Sequence, residues 1–519
     1  MRKLTNRPTL PNMQTFLRSL VDNSDPSHPI AGAIYTPDHP SFLPVLHAHI
    51  HNLRFSTPST PKPFLILTAS HHSHVQAAVS AAAAHPTTVH MRIRSGGHDY
   101  EGHSYSSSSF STTPFFILDM CHLRSIHVDI RTETAWVQCG ATLGELFSAI
   151  AEKSPTHAFP AGVCPTVGVG GHLVGGGYGN LMRKHGLSVD NVVDARLVDA
   201  RGEILDRESM GEDLFWAIRG GGPSFGVVLA YRVKLARVPD TVTVFRVERT
   251  LEENMTEVVH TWQHFAPAAH VDLFVRVLVE VVKKTVRAAF IGMFLGRSDR
   301  LLAMTRESFP ELGLTESDCT ESSWIETTPH WADFPRGTKA ADVVLLSRRP
   351  RNLVHLKRKS DYVQRPIDRP GLEAIWRKMM EVEVVKMAFN PYGGRMSEIA
   401  AEATPFPHRA GNLWKIQYQV NWDEGGAEAE RRHVALCREM YDYMTPYVSR
   451  NPRASFLNYK DLDLGVNGGG GGAAAAEGYG RSYFKGNFDR LVKIKSKVDP
   501  HNLFRHEQSV PTYLCKPKL

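Results

Sequence analysis

The stretch from Phe159 to Asn180, FPAGVCPTVGVGGHLVGGGYGN, limits what this chain can fold into more than any other. Eight of the twenty residues from Ala161 to Asn180 are glycine, and Cys164 stands directly before Pro165. Glycine at that density costs backbone entropy, and it is tolerated where main chain must approach a ligand closely or adopt positive φ. Amides free of side chains suit a phosphate-bearing cofactor. A flexible linker would be polar and Gly/Ser-rich, whereas Val167, Val169, Leu173 and Val174 interleave here. The GxGxxG spacing of a nicotinamide-type loop fails. Gly168 and Gly170 would need a glycine where Leu173 stands, and Gly175 and Gly177 one where Asn180 stands. No GxxxxGK[ST] occurs either. This is a cofactor loop of another kind.

Its partner lies upstream, in RIRSGGHDYEGHSY from Arg92 to Tyr105. Val89, Met91 and Ile93 alternate as in a strand that runs into Ser95-Gly96-Gly97 and presents His98 at its end. Taken together, His98 in SGGHDYEG and Cys164 in AGVCPTVGVGGH resemble the berberine bridge enzyme-like flavoproteins of plants, which have a PCMH-type FAD-binding fold. The resemblance covers nearly the whole chain. It includes EDLFWAIRGGG at 212–222, KSDYV at 359–363, NPYGGRMSEI at 390–399, PFPHRAGNLWKIQY at 405–418 and NFDRLVKIKSKVDPHNLFRHEQSVP at 487–511.

Composition sets the outer limits. The chain is long enough for two or three domains with substantial cores, and 42% hydrophobic with 22% charged residues is ordinary for a soluble globular protein. The formal net charge is +7, spread along the chain except for a run at 348–351 and 357–359. That run reads as a solvated face, since no nucleic-acid motif accompanies it. An anionic wall or polysaccharide surface is a milder, nonspecific partner for a basic chain. The six cysteines form no CxxC pair, so structural zinc is not expected. Nothing is long and apolar enough to span a membrane, and the N-terminus lacks the apolar core of a signal peptide. Asn254-Met255-Thr256 is the one glycosylation sequon, and it matters if the protein is secreted. The histidines of His47-Ala48-His49-Ile50-His51 and His71-His72-Ser73-His74 read as solvated rather than metal-binding, for no carboxylate or cysteine completes a site in sequence.

The pattern of elements predicts an α+β fold. Phe64 to Thr68 reads as a buried strand, Ser73 as the cap of a helix ending before Pro86, and Thr142-Leu143-Gly144-Glu145 as a capping box. Ser209-Met210-Gly211-Glu212 reads as a second box, and 272–282 with 285–295 as a long hairpin around Lys283-Lys284. Gly465 to Ala476 reads as a mobile loop and Tyr483 to Pro511 as helical. The resemblance divides this into an N-terminal segment, 1–59, and a two-subdomain PCMH-type FAD-binding domain, 60–238. A substrate domain follows at 239–456, with a large antiparallel sheet backed by helices, and then a C-terminal segment, 457–519, that returns to the FAD domain. It also implies a disulfide in relatives whose positions fall here at about Ser19 and Ala81, so that bridge is not expected.

For chemistry, a histidine at a strand end is ordinarily structural, and a buried cysteine ordinarily inert. The resemblance implies more: His98 attaches through an imidazole nitrogen to the flavin 8α-methyl and Cys164 through a thioether to flavin C6, giving bicovalent FAD. Thiolate is the reactive form of a cysteine. Arg94, Ser95, Gly96, Gly97, Thr166, Gly168, Gly170 and Gly171 are the candidates for pyrophosphate and ribityl contacts. Tyr178 matches the family's base for the substrate hydroxyl, Lys415 the lysine that keeps it as phenolate, and Gln417 a substrate-binding amide. Tyr100 and Tyr459 match two further active-site tyrosines. Taking a phenol from ~10 to ~7 requires about 4 kcal/mol, which one ammonium at about 4 Å and an effective dielectric near 20 supplies unless burial cancels it. Gln417 argues against the alkaloid-type chemistry, in which a carboxylate stands here, because an amide takes no proton at neutral pH. Val167 matches a position where valine goes with oxygen access.

The expectation is therefore a monomeric, bicovalently flavinylated oxidase acting on a primary alcohol or the anomeric carbon of a sugar, with O2 as acceptor and H2O2 as product. Alternatives are a dehydrogenase with another acceptor, an alkaloid-type oxidative cyclase, or a wall-associated binding protein without turnover. No nucleic acid or membrane partner is expected. The family is usually secreted to the cell wall, and an intracellular variant fits the missing leader.

Overall fold

The computed structural model describes residues 10–107, 113–335, 337–340, 345–349, 352–467 and 472–513. Cys515 and residues 350–351 and 468–471, all named above, lie outside them. Alternation of apolar residues on short strands builds a first sheet in the order Ile34–Tyr35, Leu65–Thr68, Phe115–Asp119, His90–Arg94. Its last three strands are parallel, and helix His72–Ala84 crosses between Leu65–Thr68 and His90–Arg94. Strands buried along their whole length, such as Phe115–Asp119, read as apolar runs because parallel sheets are covered on both faces. A second, antiparallel sheet runs Ile126–Asp129, Thr134–Gln138, Val227–Lys234, Val192–Val198, Ile204–Leu205.

The third sheet has seven antiparallel strands, in the order Cys319–Ser322, Val242–Thr250, Thr285–Phe294, Leu273–Val282, Lys386–Pro391, Trp414–Trp422, His355–Val363. Its alternation decides where the site forms. Trp414, Ile416, Tyr418, Val420 and Trp422 point to one face, where they pack with Trp262 and Trp376 of helices Met255–Ala268 and Arg369–Val382. Lys415, Gln417 and Gln419 occupy the other face. Neighbouring strands repeat this pattern, with Met387 and Phe389 behind the sheet and Ala388 and Asn390 in front. The C-terminal helix Asn487–Val498 packs against the first half of the chain, where Lys495 donates to Ser224 O and Arg92 forks onto Glu507.

Several local expectations are corrected. The cap of helix His72–Ala84 is His71, whose ring accepts from Ser73 N, so the helix starts two residues earlier than the hydroxyl suggested. The second capping box is Asp206 with Ser209, opening helix Arg207–Ala217, and Gly211 at φ 67° kinks it where a new start was expected. Residues from Gly472 are helical, since four alanines outweigh the glycines, and the expected mobile loop shrinks accordingly. Residues 499–511, expected to continue the helix, are not helical.

The largest correction concerns charge. Lys357, Arg358 and Lys359 are buried, not solvated. Lys357 pairs with Glu101 and Asp461, and Lys359 with Asp461 and Asp463, so the strand carries its own counter-ions in from two distant segments. Arg348 pairs with Glu145 at 2.7 Å. The histidines divide likewise: His47 and His72 are exposed, while His51 and His74 are buried. Folding also brings carboxylate or thiol groups beside some of them, as His49 with Asp119 and Cys121.

Candidate active site

The two glycine-rich loops meet back to back. A methyl carbon placed on Gly168 would stand 2.2 Å from the Gly96 amide nitrogen, and one on Gly97, at φ 72°, 1.9 Å from His49 O. The Gly170 amide is spent on Cys139 O at 3.2 Å, and Ser95 Oγ donates to the same carbonyl at 2.6 Å. These glycines were expected to face phosphate; the structure uses Gly96, Gly97 and Gly168 for close backbone packing. Gly171 is different, with open space where a side chain would be. Arg94 is a correction too. It is fully buried, and its guanidinium is consumed by Asp119, Val45 O and Leu46 O, so it braces the loop from behind rather than reaching a ligand.

Folding on this scaffold leaves a cavity of about 400 Å³ between the loops and the seven-stranded sheet. Ser95, Gly96, Gly97, His98, Cys164, Val167, Gly168, Gly170 and Gly171 line one side. Thr166 lies just behind, and its hydroxyl is 2.9 Å from His98 Nε2 and 3.4 Å from Cys164 Sγ. A histidine and a cysteine remote in sequence thus share one hydrogen-bond partner. Among the described cysteines Cys164 is the exposed one. Burial pushes Cys139 up, Cys121 to about 12 and Cys437 to about 11. Burial, and then the neighbouring His51 ring at 4.2 Å, drives His98 well below the usual histidine range, which favours a neutral imidazole.

The facing wall carries Tyr100, Tyr178, Gln417 and Tyr459, with Arg276, Asn390 and Gln419, which sequence reasoning missed. Tyr178 donates its hydroxyl to Asn390 Oδ1. Lys415 does not reach that oxygen. Its Nζ sits over the ring faces of Tyr178, Phe456 and Tyr459, at 3.5, 4.0 and 4.3 Å, and has no hydrogen-bond partner among the described residues. Burial drives the ammonium well below the ordinary lysine range and raises the Tyr178 phenol above its ordinary value. The lysine expected to maintain a phenolate thus stands over the Tyr178 ring and not at its oxygen, and burial opposes the phenolate. The cation that most opposes burial at Tyr178 is Arg276.

Arg276 had a signal, being the one cation in strand Leu273–Val282, which is apolar apart from it and Glu280, and Asn390 opens the NPYGG motif. His172 also lines the cavity and accepts from Gly162 N at 3.1 Å; burial lowers it to about 3.

Residues 63–207 match the family model "FAD binding domain", and residues 455–511 match "Berberine and berberine like". Berberine bridge enzyme-like 8 of Arabidopsis thaliana is 55% identical over 511 residues, covering 96% of this chain and 95% of that protein. The chain belongs to the berberine bridge enzyme-like family. Its α+β fold is that of the family's solved members. A grass pollen allergen, Phl p 4, described as having glucose dehydrogenase activity, is 42% identical with a TM-score of 0.89, over 96% of this chain and 99% of the other. Monolignol oxidoreductase AtBBE-like 13 of Arabidopsis thaliana is 49% identical, over 96% of this chain and 94% of the other. As a member, the chain is an FAD-linked oxidoreductase. The residues present fit that cofactor: a backbone-walled cleft, with Gly171 leaving room and a neutral imidazole and an exposed thiol at one end.

Proposed function

We propose that the chain oxidises a primary alcohol or the anomeric C–H of a sugar, with His98 and Cys164 each bonded to FAD and O2 as the final acceptor. The observation that carries this is the Thr166 hydroxyl shared by the imidazole and the thiol, which puts both attachment groups at one end of one cavity. FAD, when bound, supplies the hydride-accepting ring nitrogen and the path of electrons to dioxygen. The chain's residues do the rest. Gln417 and Tyr100 hold the substrate oxygen-rich end, and Tyr178 oxygen takes the hydroxyl proton once its own proton has left. Arg276 lowers the cost of that departure from one side and Lys415 from the ring face. The alcohol loses a hydride and a proton, giving an aldehyde or lactone, and O2 gains both electrons and two protons as H2O2.

Val167 lines the cavity three residues after Cys164, and a small side chain there supports oxygen access. An isoleucine-to-valine variant of Phl p 4 is described as a glucose oxidase, which fits a valine-dependent route. Secretion, and a monomeric state, belong to the same proposal. Asn254 of the sequon is exposed, so a glycan there on plant-expressed protein would support export.

The deciding experiment is acid precipitation of purified protein. Yellow colour that stays with the protein supports covalent attachment, and loss of colour with Cys164→Ala plus His98→Ala confirms the positions. A colourless wild type ends the proposal. Peroxide release on mixing reduced protein with air, lost in Val167→Leu, supports the oxidase. An air-stable reduced protein would assign it as a dehydrogenase.

A further inference from the structure

Three polar side chains on the sheet side of the cavity are hydrogen-bonded head to tail. Gln419 Nε2 donates to Gln417 Oε1 at 2.9 Å, and Gln417 Nε2 donates to the Tyr100 hydroxyl oxygen at 3.1 Å. All three line the cavity. The strand sets the spacing, since residues two apart share a face. Gln419 is half-buried and stands opposite Arg358 on one neighbouring strand and Lys386 on the other. Arg358 stands with its guanidinium 5.7 Å from the Tyr100 ring centre and is a second donor to the Tyr100 oxygen, while it also donates to Lys357 O, Val420 O and Asn421 Oδ1.

A glutamine amide has one accepting end and one donating end. With its carbonyl taken by Gln419, Gln417 turns its NH2 to Tyr100. The Tyr100 oxygen then accepts, and its own proton is left to point at whatever fills the cavity. Hydrogen bonds aligned in this way polarise one another in the same sense. We propose that Gln419 is a positioning residue that sets the direction of this relay and makes Tyr100 a donor. The site therefore selects molecules that carry an oxygen acceptor, whether hydroxyl, ether or carboxylate, where they meet Tyr100. The inference rests on the oxidation reading only in seating the substrate in this cavity.

Reversing the relay tests it. Gln419→Glu keeps the shape but accepts only. Gln417 must then turn its NH2 toward position 419 and its carbonyl toward Tyr100, which donates inward and shows the cavity only lone pairs. The probes are 4-hydroxybenzyl alcohol, which can donate or accept at its ring substituent, and 4-methoxybenzyl alcohol, which can only accept there. Binding is followed by the change in cofactor absorbance or tryptophan fluorescence under anaerobic conditions, so turnover is not needed.

In wild type the two dissociation constants are expected to be comparable. In Gln419→Glu the methoxy probe weakens about tenfold relative to the hydroxy probe, the cost of one mispaired buried hydrogen bond. Gln419→Leu falls between, and in Tyr100→Phe the ratio becomes insensitive to residue 419. A ratio unchanged in both Gln419 variants overturns the proposal, as does failure of both probes to bind wild type. Melting temperature and bound-cofactor content, unchanged in Gln419→Leu, separate misfolding of the glutamate variant from a real effect. Binding with this pattern but no peroxide would keep the relay and remove the oxidase. Peroxide with an unchanged ratio would do the reverse.

Discussion

Gly168 lines one wall of the cavity and Lys415 lies behind the aromatic rings of the other, and both are held by packing, but by different means. At Gly168 the constraint is backbone against backbone: two loops approach so closely that a single methyl carbon does not fit. At Lys415 the constraint is a buried amine among three aromatic faces, with no hydrogen bond among the described residues and with burial opposing its charge. The first wall tolerates almost no change of shape, because close-packed backbone has nowhere to move. The second tolerates shape but not charge, because each ionisable group there sits far from its ordinary equilibrium. Cofactor walls and chemical walls can therefore fail independently, one in assembly and the other in titration.

The strongest test of that division removes the tie between the walls. Lys357→Met takes one buried cation from Glu101, which follows the His98 loop, and from Asp461, leaving them Arg54 and Lys359 respectively. A loss of about 3–5 kcal/mol in urea unfolding is expected, and a change under 1 kcal/mol would show that the walls do not depend on each other. Next comes Gly168→Ala, whose methyl would meet Gly96 backbone at 2.2 Å. It should cost about 3 kcal/mol and reduce cofactor content, as read by unfolding and absorbance.

On the chemical wall, Arg276→Leu should leave stability and cofactor content nearly intact while lowering kcat at neutral pH by roughly 100-fold. Removing a positive charge favours the protonated Tyr178, so the rising limb of rate against pH should also move to more alkaline values. Lys415→Met should move that limb in the same direction but less far, since its charge lies over the ring and not at the oxygen. Equal shifts would return the lysine to the role first expected of it. Smallest of all, Gly171→Ala meets nothing within 4 Å and should change stability by less than about 0.5 kcal/mol. It should weaken cofactor retention if the vacant space is where the cofactor lies.

Much of this was legible in the chain, unevenly. The strand leading toward His98, the hairpin around Lys283 and Lys284 and the Thr142 capping box are local patterns, and each appears where its residues predict. His98, Cys164, Tyr178, Tyr100, Gln417 and Tyr459 come to one cavity, as the motifs implied. What failed was environment. Arg94 sits beside SGGH yet turns away, because Asp119 on the neighbouring parallel strand claims it. Lys357 and Lys359 look solvated until Glu101, Asp461 and Asp463 arrive from elsewhere in the chain. Lys415 was placed correctly on its strand, but the sign of its influence depends on burial that no local pattern reports. Arg276 acts on Tyr178 from a distant segment and Gln419 through Gln417 on its own strand, and neither sits in a motif of its own.

The Glu101–Lys357 pair has a mechanical meaning. It staples the segment just after His98 to the sheet that carries Gln417, so the floor and ceiling of the chamber cannot separate like jaws. Reactants must then enter and leave through a standing doorway, and turnover should proceed without a clamshell motion of the two halves.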